Sequence, residues 1–303
     1  MDLKNYKNVL LRRSTEDLTI KEKEKFLGYL LIIPSVVLVA AAILYPLVYN
    51  VYLSFTEVPL HPDESPVWVG LENYATMLTD DRFWTAFWNS ILFTLFSSLI
   101  ATAAGLGVAL LFRRKFRGRR IVRGIVLLPY VLPIIAAAFV WRFMLNPIYG
   151  VVPYSMQMTG IYTGELDLLG EPSIAIWTVI LVDSWRVFPF AFLLLMARVQ
   201  SIPPDMYEAA KLDGAGRFAR FKDITLPELK YVIATVFLLR WIWNFNAFAD
   251  VWLLTREVPT LPIYTYLTAF SSFDQGLAAA ISMLLFLFLI AFVLLYVAWF
   301  ADW

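Results

Sequence analysis

Six apolar stretches, each long enough to cross a bilayer, leave this chain few folds. They run over roughly 27–54, 84–112, 121–145, 173–197, 231–254 and 276–300. A hydrocarbon core of about 30 Å needs about 20 helical residues at about 1.5 Å each. Hydrophobic residues make up 60% of the 303 and aromatics 17%, against about 45–50% apolar content in a soluble domain. The expected fold class is all-α: a polytopic membrane protein of six transmembrane helices. Its organisation reads as an N-terminal tail, 1–25, and one transmembrane domain, 26–303. The first stretch is too long for a signal-peptide core and reads as a retained anchor.

The charges between the stretches alternate in sign. The tail carries Lys4, Lys7, Arg12, Arg13, Lys21, Lys23 and Lys25, and Ser14-Thr15-Glu16-Asp17 resembles a helix start. Segment 56–83 has Arg82 alone against Glu57, Asp63, Glu64, Glu72, Asp80 and Asp81. Arg113, Arg114, Lys115, Arg117, Arg119, Arg120 and Arg123 follow without an acid. Segment 146–172 has no base, 198–230 has six, and 255–275 has only Arg256. Counted by the positive-inside rule, both termini and loop 198–230 face the cytoplasm. The arginine cluster at 113–123 is wedged between two spans, which favours topology and anionic headgroups over nucleic acid.

Several chemistries drop out. The sequence has no cysteine and one histidine, His61, in a polar loop. No metal set, catalytic residue or nucleophile–base pair is expected. No Gly-x-x-x-x-Gly-Lys-Ser/Thr phosphate loop occurs, so no cofactor is expected on this chain, and ATP with its Mg would belong to partners.

Loop 198–230 is more ordered than a connection requires. Ser201-Ile202-Pro203-Pro204-Asp205 carries helix-start chemistry, with Ser201 placed to cap. Met206 to Leu212 continues as helix, and Gly214 suits a left-handed C-terminal position. Arg217 to Asp223 forms a second short helix that Pro227 closes or redirects. Ala209 and Ala210 leave one face small. An amphipathic hairpin resting on the membrane surface and a docking surface for a partner both fit this pattern.

Charges also lie inside the spans: Arg142, Asp183, Arg186, Arg240 and Asp250. Asp183 and Arg186 are three apart and can pair on one helical face; Arg142 can snorkel outward. Arg240, Asn244 and Ala247, spaced i, i+4 and i+7, share a face flanked by Trp243. With Asp183, Arg186, Val187 and Phe190 they outline a polar seam. Hydrogen-bonding groups beside an aromatic face suit a sugar ring. Internal ion pairing that satisfies itself is the competing reading. Pro129, Pro133 and Pro189 lie within spans, where proline kinks a helix.

The loop spacing carries a resemblance. Glu208-Ala209-Ala210, three residues, Gly214, nine residues and Ile224-Thr225-Leu226-Pro227 are similar to the EAA motif of binding-protein-dependent ABC importer permeases. Gly70-Leu71-Glu72-Asn73-Tyr74, Leu128-Pro129-Tyr130-Val131-Leu132-Pro133, Trp185-Arg186-Val187-Phe188-Pro189-Phe190 and Trp241-Ile242-Trp243-Asn244-Phe245-Asn246 extend it to the carbohydrate branch and its maltose- and trehalose-type first permease. One departure stands out: the family's Gly-Gly-Gly-Pro after Leu253-Leu254-Thr255 is replaced by Arg256-Glu257-Val258-Pro259.

The resemblance implies a permease subunit in a prokaryotic cytoplasmic membrane, moving a sugar by alternating access. Its partners would be a second permease subunit, two cytoplasmic ABC ATPases and an extracellular solute-binding protein. Glu208, Ala209, Ala210, Leu212, Asp213 and Gly214 would form the ATPase-coupling hairpin, and the seam would line the substrate pathway. Glycerol phosphate or another polar solute is the alternative cargo. An ATPase-independent secondary transporter is the alternative machine.

Overall fold

The computed structural model describes residues 20–61, 63–113, 116–161 and 166–301. Residues 1–19 of the tail, with the Ser14-Thr15-Glu16-Asp17 start, and Arg114 and Lys115 lie outside them, whereas 20–25 belong to the first helix. Helix α1 (Ile20–Ser54) leads to a two-residue pairing of β1 (Thr56–Glu57) with β2 (Val67–Trp68), antiparallel with Thr56 opposite Trp68. Then come α2 (Glu72–Thr79), α3 (Asp81–Leu111), α4 (Arg119–Val131), α5 (Ile134–Met144) and α6 (Val151–Met158). The long α7 (Pro172–Ser201) feeds α8 (Pro204–Leu212), α9 (Arg217–Arg220), a π-helical turn (Phe221–Thr225) and α10 (Leu226–Phe245). The chain closes with α11 (Ala249–Trp252), α12 (Leu261–Phe270) and α13 (Gln275–Ala301).

Among the described residues, four helices are long and apolar enough to cross a membrane: α1, α3, α7 and α13. The third expected span is not one helix. α4 and α5 meet at 95°. Pro133 forces Leu132 into extended backbone, φ −64° and ψ 134°, because a proline ring disfavours helical backbone just before it. The fifth stretch, expected over 231–254, also breaks. α10 ends at Phe245, and a turn at Asn246 to Phe248 separates it from the four residues of α11.

The core is the packing of α3 on α7. The buried face of α3 includes Ser90, Ser97, Ala101, Gly105 and Ala109. A Cβ at Gly105 would lie 2.6 Å from the Ala191 Cβ and 2.7 Å from the Phe192 backbone nitrogen. Lipid offers no hydrophobic drive between helices, so small residues that let backbones approach supply the packing. Phe93, Val179, Ile180, Phe192 and Leu195 fill the space around this crossing.

The alternating charge of the loops resolves into two poles. Asn89 donates to the Pro259 carbonyl at 3.0 Å, Thr255 to the Leu169 carbonyl at 2.6 Å, and the Tyr264 hydroxyl to Asp80 at 2.7 Å. These bonds gather the acidic segments 56–83, 146–172 and 255–275. Asp80 also caps α3, accepting from the Arg82 backbone N–H at 2.9 Å. The Arg82 guanidinium bound to it holds its carboxyl down at about 2. At the other pole the Arg113 guanidinium lies 3.4 Å over the Tyr207 ring. That contact joins the end of α3 to the hairpin, so the basic segments 113–123 and 198–230 share one side.

Candidate functional site

Two constellations meet on α7 and α10. The first is the polar seam. Asp183 is 2% exposed and holds three partners: the Ser97 hydroxyl, which donates a short hydrogen bond, and the guanidinium groups of Arg186 and Arg240, each at 3.4 Å. Arg186 reaches further and pairs closely with Asp250. Arg240 donates to the Asn244 side-chain oxygen, and the Asn244 amide donates to Ser98 at 3.2 Å. Two carboxylates therefore face two guanidiniums, with no charge left over. The anticipated Asp183–Arg186 pair is present, extended into a network.

An aromatic row borders these charges. Phe190 lies edge-on to Trp243 at 5.0 Å between centroids, and Tyr130 lies 6.2 Å beyond Phe190. The Arg240 guanidinium sits 5.9 Å from the Trp243 ring. Trp243 is 46% exposed, whereas Arg240 and Asn244 are each 4% exposed. The row presents an aromatic face outward, backed by polar groups.

Not every seam residue joins it. Val187 is buried. Ala247 does not continue the face of Arg240 and Asn244. The helix stops at Phe245, the Ala247 N–H turns back to the Asn244 carbonyl at 3.0 Å, and Ala247 packs against the apolar cluster that contains Val179 and Val251. The i, i+7 spacing fails because no helix spans it. Ser97, Ser98 and the link from Asp250 to Arg186 were missed at the sequence level. Their signal was a Ser-Ser pair inside an apolar span and an acid opposite in sign to Arg186. Arg142 is exposed and lines an outer cavity of about 280 Å³ together with Asn146, Thr255 and Arg256.

The second constellation is the hairpin. Ser201 does not cap α8; it ends α7, and its hydroxyl donates to the Arg198 carbonyl at 2.8 Å. Pro203 takes the cap position, with Pro204 in the first turn, where a missing N–H costs nothing. α8 closes as a Schellman turn. Gly214, at φ +79°, donates to the Lys211 carbonyl at 3.0 Å, and Ala215 to the Ala210 carbonyl at 2.8 Å. Pro227 does not close the second helix. It lies in the first turn of α10, which the π-helical turn enters directly.

The hairpin is anchored on one side and open on the other. Tyr207 is buried, with its hydroxyl 2.9 Å from that of Thr225. Arg198 clasps the base, donating from Nε to the Glu228 carbonyl at 3.0 Å and pairing with its carboxylate. Glu208, Ala209 and Asp213 are exposed and Ala210 half-buried. Leu212 is 90% and Phe218 76% exposed. Phe218 had not been singled out from the sequence. Two large apolar side chains beside an exposed carboxylate form a surface suited to a protein partner.

Comparison with known proteins covers nearly the whole chain. The family model described as "Binding-protein-dependent transport system inner membrane component" matches residues 101–301. The inner membrane ABC transporter permease protein YcjO of Escherichia coli (strain K12) is 40% identical over 267 residues, covering 88% of this chain and 91% of that protein. The trehalose/maltose transport system permease protein MalF of Thermococcus litoralis is 35% identical over 283 residues, covering 91% and 94%. A crystal structure of a bacterial ABC transporter importing the acidic polysaccharide alginate superposes with a TM-score of 0.78 at 23% identity, covering 90% of this chain and 94% of that one.

Proposed function

The chain belongs to the binding-protein-dependent transport system inner membrane components, and from that premise we propose that it forms half of a sugar path in an ATP-driven importer. It is a multi-pass permease component of the cytoplasmic membrane. In our reading it pairs with a second, different permease subunit. Two cytoplasmic ATPases drive the pair, and an extracellular binding protein delivers the solute.

The observation that carries this reading is the hairpin. It is clasped at its base by Arg198 and Glu228, turned by Gly214, and exposed at Glu208, Leu212 and Phe218. A partner groove that receives α8 would take Glu208, Ala209, Ala210, Leu212, Asp213 and Gly214 as its contact set. A membrane-resting hairpin would not need a carboxylate beside its apolar tip. An ATPase-independent transporter would leave this surface unused.

For the cargo, both arginines of the seam, Arg186 and Arg240, are engaged by carboxylates. That pairing favours a neutral polyhydroxylated solute over glycerol phosphate, which would need free cations. Trehalose/maltose and trehalose transport appear in the names of two relatives. Under this reading Asn244 and Arg240 are the polar edge of the path, and Phe190 and Trp243 its aromatic face. Glu208→Lys combined with Gly214→Pro should abolish ATPase association and solute-stimulated hydrolysis; unchanged values for both would refute the hairpin's role. Uptake assays with neutral and phosphorylated competitors decide the cargo, and competition by glycerol phosphate alone would reject the sugar.

A further inference from the structure

The cytoplasmic end of α3 and the hairpin enclose a cavity of about 370 Å³ with basic walls. Arg113, Lys211, Arg217 and Arg220 line it, and Leu110 and Phe221 supply an apolar side. No acid among the described residues lines it. None of the four cations forms an ion pair with a described acid. Arg113 is held in place by the Tyr207 ring, and the Arg220 Nε donates only to the Gly216 carbonyl, at 3.4 Å. Four like charges around one cavity repel one another, and a compact anion relieves that repulsion. Guanidinium forks match phosphate oxygens in shape and charge.

Depth identifies the carrier of the phosphate. Leu110 lies one residue before the end of α3, a helix apolar enough to cross the bilayer. The cavity therefore straddles the edge of the hydrocarbon on the side where anionic headgroups concentrate. Leu212 and Phe218, at the exposed tip, do not line it. We propose that this cavity binds the phosphate group of an anionic phospholipid headgroup, with the glycerol end against Leu110 and Phe221. The assignment stands apart from the hairpin's role in coupling.

The test uses the whole importer in neutral detergent, mixed with equal phosphatidylglycerol and phosphatidylcholine and read by native mass spectrometry. The wild type should retain phosphatidylglycerol preferentially. Each arginine near an anionic surface is worth about fivefold in affinity, so Arg217→Gln with Arg220→Gln should cut that preference about 25-fold. Arg220→Gln alone, expected to lose about fivefold, serves if the double variant does not assemble. Excess inorganic phosphate should leave the lipid bound. Displacement of the lipid by phosphate would make the site one for a free anion and overturn the headgroup assignment. Equal lipid retention in variant and wild type would overturn the site. Loss of ATPase subunits from the variant without change in bound lipid would assign the cavity to an acidic protein partner instead.

Discussion

The seam and the hairpin treat their charges in opposite ways. In the seam, Asp183, Asp250, Arg186 and Arg240 are drawn into one network. At the hairpin, Glu208 and Asp213 stand exposed beside bare Leu212 and Phe218. Both follow from solvent. A lone charge in hydrocarbon costs several kcal/mol, so intramembrane ions must find each other. In water the same ion costs little, and its exposure leaves it available to another protein. Closed electrostatics mark the part of this chain that holds itself together; open electrostatics mark the part that, on our proposal, meets a partner.

The comparison breaks first at Asp183. Asp183→Ala strands Arg240 and weakens the hold on Arg186, and removing one partner of a buried pair costs about 3–5 kcal/mol. The melting temperature of the solubilised importer should fall sharply. Asp183→Ala with Arg240→Met should recover most of the loss, because no buried charge then lacks a partner. A melting temperature unchanged by Asp183→Ala would show that the seam is wet and open like the hairpin.

Smaller effects sharpen the other side. Gly214→Ala forces a side chain into left-handed backbone, at about 1–2 kcal/mol. It should speed proteolysis or hydrogen exchange across 204–225 while leaving the melting of the bundle nearly unchanged. Equal changes in both would mean that the hairpin and bundle are one cooperative unit. Tyr207→Phe removes the hydroxyl contact to Thr225, worth about 1 kcal/mol, and keeps the ring under Arg113. On the proposed coupling role, solute-stimulated ATPase activity should fall modestly with the basal rate retained.

The least effect is expected at the outer pole. The Asp80 carboxyl is depressed to about 2 by its bond from Arg82. A depressed carboxyl contributes stability above its unfolded value of about 4 and loses it as pH falls through the folded value. Asp80→Asn should therefore differ from wild type at neutral pH and converge on it between about pH 4 and 2. Since Arg82 is exposed, the difference is well under about 1 kcal/mol. Parallel pH curves for the two proteins would contradict the pairing.

The sequence made the bundle and the hairpin legible for physical reasons. Long apolar runs have one solution in lipid, and Gly214 supplies the left-handed φ that ends α8. Other features were hidden. Pro133 signals a kink but not its size, because a 95° turn depends on what α5 packs against. Asn246-Ala247-Phe248 contains neither proline nor glycine, so the end of α10 left no mark and Ala247 was placed on a face that does not exist. Ser97 and Ser98 look like ordinary small packing residues. Only tertiary structure shows that they finish the hydrogen bonding of Asp183 and Asn244.

The Arg198–Glu228 clasp has a mechanical meaning. It ties the foot of α7 to the foot of α10. Asp183 and Arg240 tie the same two helices again, 15 residues higher on α7, about 22 Å along the axis. Two rungs on two rails make a braced ladder. The two links hold α7 beside α10 from their feet to the seam, so on the proposed coupling role a push at α8 would reach Trp243 through both helices together. Under alternating access, the surfaces that slide would lie outside the ladder, against the remaining helices or the second subunit.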